Sequence, residues 1–513
     1  MIHFLPAWYH MDTWNEHEQF WYKVKEHTEF DDTVKQIQMF HRNSVMPYEI
    51  LLLSHAPNFR HFLHRQGVFH APYWSCFDGI CQIKKRDAAV FSFMDLNWPE
   101  EIEFEYTSFV IVAYLKGVKY AQIEFGEAGN MILIWMYENG QLSRCNVYDD
   151  RGFISKTVVY ENGRSVYQDF LMENGVRKLR YYQDGHVEIN PKYPKFDVTV
   201  NEKNLTFSFL KMQYDSMDEV VTEVFKRYVS LLPEDDIFCI ATHSHHNEIV
   251  SAVLKHRKTI LSFFGKRYSI PLDPVTVSLI ENSQYVVTDV KSTTIGITPV
   301  VKKFSVPIKE ISPYDSRADF GISQQLSNQQ VLLPVDELEL DVFRQVLVLL
   351  DSFLDTHEKV SVNFFTREAG IFKPRTLLDE AFEMIPDTNN RDRYHVEQCI
   401  DEPSVTACMK KQRLLVNLNL APELYLQIAA LSAGIPQIVR VRTQYVRHNR
   451  NGMVLKRLEE LPDALEYYLD GLANWNRAMV SAYELGKQYS TEVLLNNWKE
   501  VIESVGHSKG SDT

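Results

Sequence analysis

The residues best equipped for chemistry in this 513-residue chain fall into separate groups. His243, Ser244, His245 and His246 follow an apolar run and invite a metal reading, because imidazole is a common zinc ligand. Adjacent His245 and His246 cannot both point into one site from regular structure, and no acidic or cysteine partner sits at helical spacing. Loop or helix-cap histidines are therefore the expectation. A second group is basic: Arg440, Arg442, Arg447, His448, Arg450, Lys456 and Arg457 crowd one stretch densely enough to attract a phosphate or an anionic lipid surface. A solvated strand-and-loop face is the ordinary reading of such a run. The third group is aromatic: WYHMDTW and FWYKV near the N-terminus, and APYWSCF at 71–77. Flat rings stack on sugars, so these residues predict either a glycan groove or the packing of a first domain, and both readings stay open.

Composition narrows the classes. A formal charge of -14 argues against extended nucleic-acid binding, which needs a broad basic surface. With 45% hydrophobic residues, the chain can bury more than one core, and its length predicts about two to four domains. No apolar stretch reaches bilayer length, and the first residues lack a basic segment followed by an apolar one, so a chain without signal peptide, located in the cytoplasm, is expected. The cysteines at 76, 81, 145, 239, 399 and 408 form no Cys-x-x-Cys pair, which predicts reduced core residues and neither a disulfide framework nor a zinc ribbon. No metal is expected.

These groups must be positioned by regular elements. Between 100 and 190, glycines 129, 140, 152, 163, 175 and 185 recur every ten to twelve residues, each within a turn signal such as YENG or QDG. Asn-Gly and Asp-Gly supply the positive φ angles of tight hairpins. The intervals, such as MILIWMY and FISKTVVY, are rich in β-branched and aromatic residues and hold one strand each, which predicts an up-and-down antiparallel meander. On either side, short apolar strands (HFLPAW, YEILLLS, FCIAT, TILSFF, YVVTDV) alternate with helical stretches, so the meander reads as an insertion in an α/β domain with a parallel sheet. A second α/β unit follows, with ELELDVFRQVLVLLDSFL as a helix and KVSVNFFT, RLLVNLNL and PQIVRV as strands. The expected fold class is α/β, with two Rossmann-like domains facing each other across a cleft. The expected boundaries are 1–99 with 191–318 for the first domain, 100–190 for the inserted sheet, 319–490 for the second domain, and 491–513 for a C-terminal helix and frayed tail.

Residues 421–436, APELYLQIAALSAGIP, read as a helix whose first turn holds Pro422 and Glu423, whose apolar stripe is Leu424, Ile428 and Leu431, and which Gly434 and Pro436 end. This helix, the following strand and YVRHNRNGMVLKRLEELPDALEYYL together resemble the second half of GT-B retaining glycosyltransferases. In those enzymes one glutamate addresses the donor sugar, and another, eight positions later, holds the nucleotide ribose. Aligned on Gly434 and Pro436, these positions are Ala421 and Ala429, and Pro422 and Leu424 occupy the glycine positions. Glu423 is no substitute in a shifted frame, because two helical residues would turn it about 200° away from the cleft. Arg367 and Lys373 stand at the spacing with which such enzymes grip diphosphate, marking a candidate residual anion site.

The meander is similar to the extended β-sheet of the glycosyltransferases that decorate serine-rich repeat adhesins of Gram-positive bacteria, and ISPYDSRADFGISQQLSNQQVLLPV is similar to their interdomain passage. With HFLPAWY, FDDTVKQIQMF and MPYEILLLSHAPNFR, the whole chain resembles the first Asp type of accessory secretory protein from the accessory Sec system. That resemblance implies a pseudoenzyme without cofactor that assembles with the other two accessory secretory proteins and supports export of glycosylated adhesin through the accessory Sec ATPase. It leaves open carbohydrate binding in the cleft and a peripheral place on the membrane through Arg440, Arg442, Arg447 and Arg450. The alternative is an active retaining glycosyltransferase using a sugar nucleotide on a Ser/Thr-rich protein acceptor, resting on Arg367, Lys373 and Glu423.

Overall fold

The computed structural model describes residues 1–10, 13–16, 19–24, 27–265, 267–368 and 373–507. Two parallel sheets organise the chain. The first has strands in the spatial order Ile308–Glu310, Tyr285–Thr288, Lys258–Phe263, Ile237–Ala241, Ile2–Leu5, Tyr48–Leu52, Tyr73–Ser75. The second runs Tyr394–Gln398, Val360–Thr366, Gln329–Pro334, Leu414–Asn417, Gln437–Val439, Gly452–Val454. In each, the chain starts at a central strand, builds outward to one edge, then returns to build the other. This doubly wound order leaves a crevice at the carboxyl ends of its central strands. The strands are buried on both faces, which is why they read as continuous apolar runs and not as alternating ones.

Between the outgoing and returning halves of the first sheet lies the meander, a ten-stranded antiparallel sheet from Ile102–Tyr106 to Val187–Ile189 with Gln213–Tyr214 added at one edge. Its hairpins turn where Asn-Gly predicted: Asn139 and Gly140 have φ 51° and 77°, and Asn162 and Gly163 repeat the pair. The edge strand at 213–214 comes from beyond 190. A separate hairpin, Lys195–Val200 with Lys203–Ser208, also went unread. Its signal was present, since Phe196 and Val198 alternate with polar residues and face the first domain's core, while Asn201 and Glu202 make the turn at φ 50° and 63°.

The sheet is anchored at its root by a buried ionic network. Arg151, 2% exposed, donates to both oxygens of Asp149 at 2.7 Å and to both oxygens of Asp78 at 2.8 Å. Arg60 donates to Asp150 at 2.5 Å, to the Tyr73 hydroxyl at 2.8 Å and to the Pro57 carbonyl at 2.8 Å. Asp78 belongs to the helix Cys76–Cys81 and Arg60 to the helix Phe59–Arg65, so the meander is held by the same elements that cover the first sheet.

The final helix, Thr491–His507, does not stay with the second domain. It returns to the first sheet, where Leu494, Trp498, Val501 and Val505 complete a core shared with Phe4, Phe40 and Ile260. Apart from His507, the expected frayed tail lies outside the described residues. No helix among the described residues is long and apolar enough to cross a membrane.

Candidate functional site

A cleft of about 1040 Å³ opens where the central strands of both sheets end. After Ile2–Leu5 the chain brings Trp8 and Tyr9 to it. After Ile237–Ala241 it brings His243, after Gln329–Pro334 Asp336 and Glu337, and after Leu414–Asn417 the segment Asn419 to Leu424. The topology thus concentrates candidate residues at the crevice.

The first-domain wall carries both signs of charge, Asp31 and Asp289 beside Arg267 and Lys291. Asp31 caps the helix Asp32–Asn43, accepting from Thr33 N and from Trp8 Nε1, each at 3.0 Å. Arg267 bridges Asp31 at 3.3 Å and Asp32 at 2.9 Å. Burial, aided by the neighbouring Asp32 and opposed by Arg267, pushes the Asp31 carboxyl up to about 6. Asp289, also raised by burial, accepts from Gly265 N at 2.9 Å and from Thr293 Oγ1 at 2.8 Å.

The second-domain wall carries the candidate anion site, and both of its cations face an acid of their own chain. Arg367 is ion-paired with Glu423, and Lys373 contacts Glu368 at 2.8 Å. Arg367 is only 8% exposed, with its guanidinium 3.7 Å from the Phe30 ring centroid. Its backbone N donates to Asp336 at 2.7 Å, and its carbonyl accepts from His27 Nε2 at 3.0 Å. Phe30 comes from the first domain, where Tyr314 Oη fixes its carbonyl at 2.6 Å, and its ring lies 4.7 Å from that of Tyr425. Ile428, Leu431, Tyr445, Ala482 and Leu485 close around this contact. An aromatic and ionic plug therefore occupies the seam between the domains.

The plug separates Ala421 from Ala429. Ala421 is exposed and lines the main cleft. Ala429 lines a different hollow of about 510 Å³ together with Lys35, Arg42, Glu402 and Lys410. Phe30 faces the first space and Tyr425 the second. Gly434 ends the helix in the left-handed region at φ 72°, and Pro436 precedes the strand Gln437–Val439.

Two expectations about this segment are overturned. The helix spans Leu424–Ala433, so Pro422 lies before it and not in its first turn. Glu423 is the extended N-cap, with φ −72° and ψ 109°, and the helical step expected to turn it away does not apply. It lines the cleft and holds Arg367. Sequence reasoning missed the pairing of Glu423 with Arg367 and the role of Phe30 altogether. The only linear signal was an acid placed just before an apolar helix.

The histidine group does not converge. His243 caps the helix Ser244–Val253 by accepting from His245 N at 3.1 Å. The His245 ring lies 4.2 Å from that of Trp14, and His246 Nδ1 bonds Tyr9 Oη at 2.8 Å, its imidazole held neutral by burial. The aromatic group is largely packing: Trp14 donates to Asp218 at 2.7 Å, and Trp74 stacks on Tyr228 at 4.1 Å. Of the basic run, Arg442, Arg447 and Arg450 are exposed, Arg442 beside the cleft, while Arg440 meets Glu339 at 3.1 Å.

The family model for the accessory Sec system protein of the first Asp type matches residues 1–373 and 359–504. The accessory Sec system protein of that type from Streptococcus gordonii is 31% identical over 98% of this chain and 99% of its own length. A crystal structure of accessory secretory protein 1, 2 and 3 in Streptococcus pneumoniae contains a chain with TM-score 0.82 and 29% identity, covering 99% of this chain and 100% of that one. The pneumococcal O-GlcNAc transferase GtfA, crystallised with UDP and GlcNAc, shares the fold at TM-score 0.73 and 11% identity, covering 99% of both chains.

Proposed function

The chain belongs to the family of the first Asp-type protein of the accessory Sec system and has a GT-B glycosyltransferase-like fold, and from that premise we propose that it acts as a non-catalytic scaffold. In this reading it assembles with the other two accessory secretory proteins, as the pneumococcal relative does, and supports export of a glycosylated serine-rich repeat adhesin by the accessory Sec ATPase from the cytoplasmic side.

The observation that carries the non-catalytic reading is the plug. Arg367, the residue best placed to hold a diphosphate, is neutralised by Glu423 and capped by Phe30. Alanine stands at 421 and 429, where the resemblance implies the two carboxylates that grip sugar and ribose, and the plug keeps these positions in separate spaces. A charge-assisted hydrogen bond contributes ~1.5 to 3 kcal/mol, so losing two lowers donor affinity or turnover by about two to four orders of magnitude. The -14 charge adds repulsion toward a nucleotide diphosphate.

Calorimetric titration with UDP and UDP-sugars is expected to give no saturable heat at micromolar concentration. Product formed on an adhesin fragment from any donor in a panel overturns the scaffold reading in favour of an active glycosyltransferase. Co-expression with the other two accessory proteins is expected to yield a ternary complex on gel filtration. For membrane placement, exposed Arg442, Arg447 and Arg450 support a salt-sensitive contact with anionic vesicles. Flotation unchanged by neutralising Arg447 and Arg450 excludes that surface.

A further inference from the structure

Away from the cleft, the second domain gathers three metal-ligating side chains that the sequence spreads over twelve positions, 397 to 408. Glu397 lies in the strand Tyr394–Gln398, and the amide of Cys399 extends its ladder by donating to the Thr366 carbonyl at 3.0 Å. Residues two apart on a strand share a face, so Glu397 and Cys399 point the same way. Asp401 then caps the helix Glu402–Met409, accepting from Ser404 N at 2.9 Å, and the tight turn folds the helix back until Cys408 in its last turn meets Cys399. One carboxylate oxygen of Glu397 and the Sγ atoms of Cys399 and Cys408 all lie within 4.8 Å of one another.

We propose that Glu397, Cys399 and Cys408 bind one thiophilic divalent cation of the zinc class, with a fourth position open to water. Two sulfurs select a soft or borderline ion over magnesium or calcium. Ligand atoms around tetrahedral zinc lie about 3.5 to 4 Å apart, so the trio needs only a small contraction to close on the ion. The thiols are 3% and 4% exposed within an apolar cluster of Leu332, Phe365, Val405 and Leu415, whereas Glu397 is half-buried and gives the ion an entry. Gln412 Nε2 stands 3.6 Å from Cys408 Sγ, a neutral outer donor to the sulfur. The hydrogen bond from Cys408 lowers the Cys399 thiol below its ordinary range, while that bond and burial raise Cys408. Binding the ion releases both thiol protons to solvent and leaves a site of net charge −1. The same helix carries Glu402, which is ion-paired with Lys35 of the first domain, so the ion would fasten the element that reaches across the seam.

The test is anaerobic titration of the reduced, chelator-treated full chain with Co²⁺. One equivalent is expected to produce a thiolate-to-cobalt charge-transfer band in the near ultraviolet, removed by one equivalent of Zn²⁺, with affinity rising from pH 6 to 8 as proton release requires. Cys399→Ser and Cys408→Ser are expected to abolish the band. Glu397→Gln is expected to weaken binding by more than about tenfold, the size of outer-shell losses. Cys145→Ser, elsewhere in the core, should leave it intact. Circular dichroism melts of the metal-free variants separate loss of ligand from loss of fold. No band, a band that survives in Cys399→Ser, or a reduced chain that takes up no stoichiometric metal overturns the proposal.

Discussion

Arginine is buried beside carboxylates both at the root of the meander and at the seam, and the two arrangements differ. At the root of the meander, Arg151 reaches four carboxylate oxygens at hydrogen-bonding distance, and Arg60 adds a carboxylate, a hydroxyl and a carbonyl. At the seam, Arg367 has one acidic partner and an aromatic face among the described residues, where its Nε and Nη1 find no hydrogen-bond partner. A buried charge whose donors are matched holds its surroundings in one geometry, whereas one with unmatched donors holds them less firmly. The root is accordingly a rigid joint between sheet and domain. The seam is a closure to which Phe30, His27 and Lys35 each reach across the gap.

The largest expected effect tests the joint. Arg151→Ala leaves Asp149 and Asp78 buried without their partner and should lower stability by about 3 to 5 kcal/mol in urea unfolding. A loss below about 1 kcal/mol would erase the distinction between the two regions. Next is Phe30→Ala, which removes a ring 8% exposed and should cost about 3 kcal/mol. It should also increase hydrogen exchange at the seam while the meander stays protected. Uniform exchange across both regions would show that they open as one unit.

A pH experiment probes the joint more finely. His55 sits there with Nε2 3.1 Å from Ser155 Oγ, held well below its ordinary range by burial and by Lys156, Arg151 and Arg60. Below about pH 6.5 the unfolded chain binds a proton that the folded chain refuses, so this histidine contributes full stability above that pH and loses it as pH falls. Between pH 7 and 5.5 the wild type should lose about 1 kcal/mol more than His55→Gln. Equal losses would place the imidazole outside the network. The smallest effect belongs to a pair on the surface: Arg440→Gln, which breaks the exposed contact with Glu339, should change stability by less than about 1 kcal/mol.

The joint and the seam also differ in how far the sequence reveals them. The meander was legible because its information is local: an Asn-Gly pair sets each turn, and alternation sets each face. The two doubly wound sheets were legible from apolar runs of strand length between helical stretches. The hairpin at 195–208 had the same signals but followed a long meander and was absorbed into the flanking domain. Glu423 was misplaced because the true start of the helix depends on two residues, Pro422 and Glu423, that are compatible with either conformation. The plug was beyond reach, since Phe30, Arg367 and Tyr425 meet only after both domains have folded and closed, and no spacing rule links positions so far apart. Cys399 and Cys408 escaped for a related reason, as a turn between strand and helix joins them where no Cys-x-x-Cys spacing exists.

The last helix has a further consequence for how the molecule is made. Leu494, Trp498, Val501 and Val505 fill a core whose other members come from residues 2 to 71 and from Ile237, Cys239, Ile260, Val287 and Ile311. At translation rates of about 5 to 20 residues per second, the gap between the sheet's final strand at 308–310 and Leu494 lasts roughly 10 to 40 seconds. During that interval Phe4, Phe40 and Ile260 lack the apolar cover that the helix Thr491–His507 gives them, and this face stays open until that helix emerges.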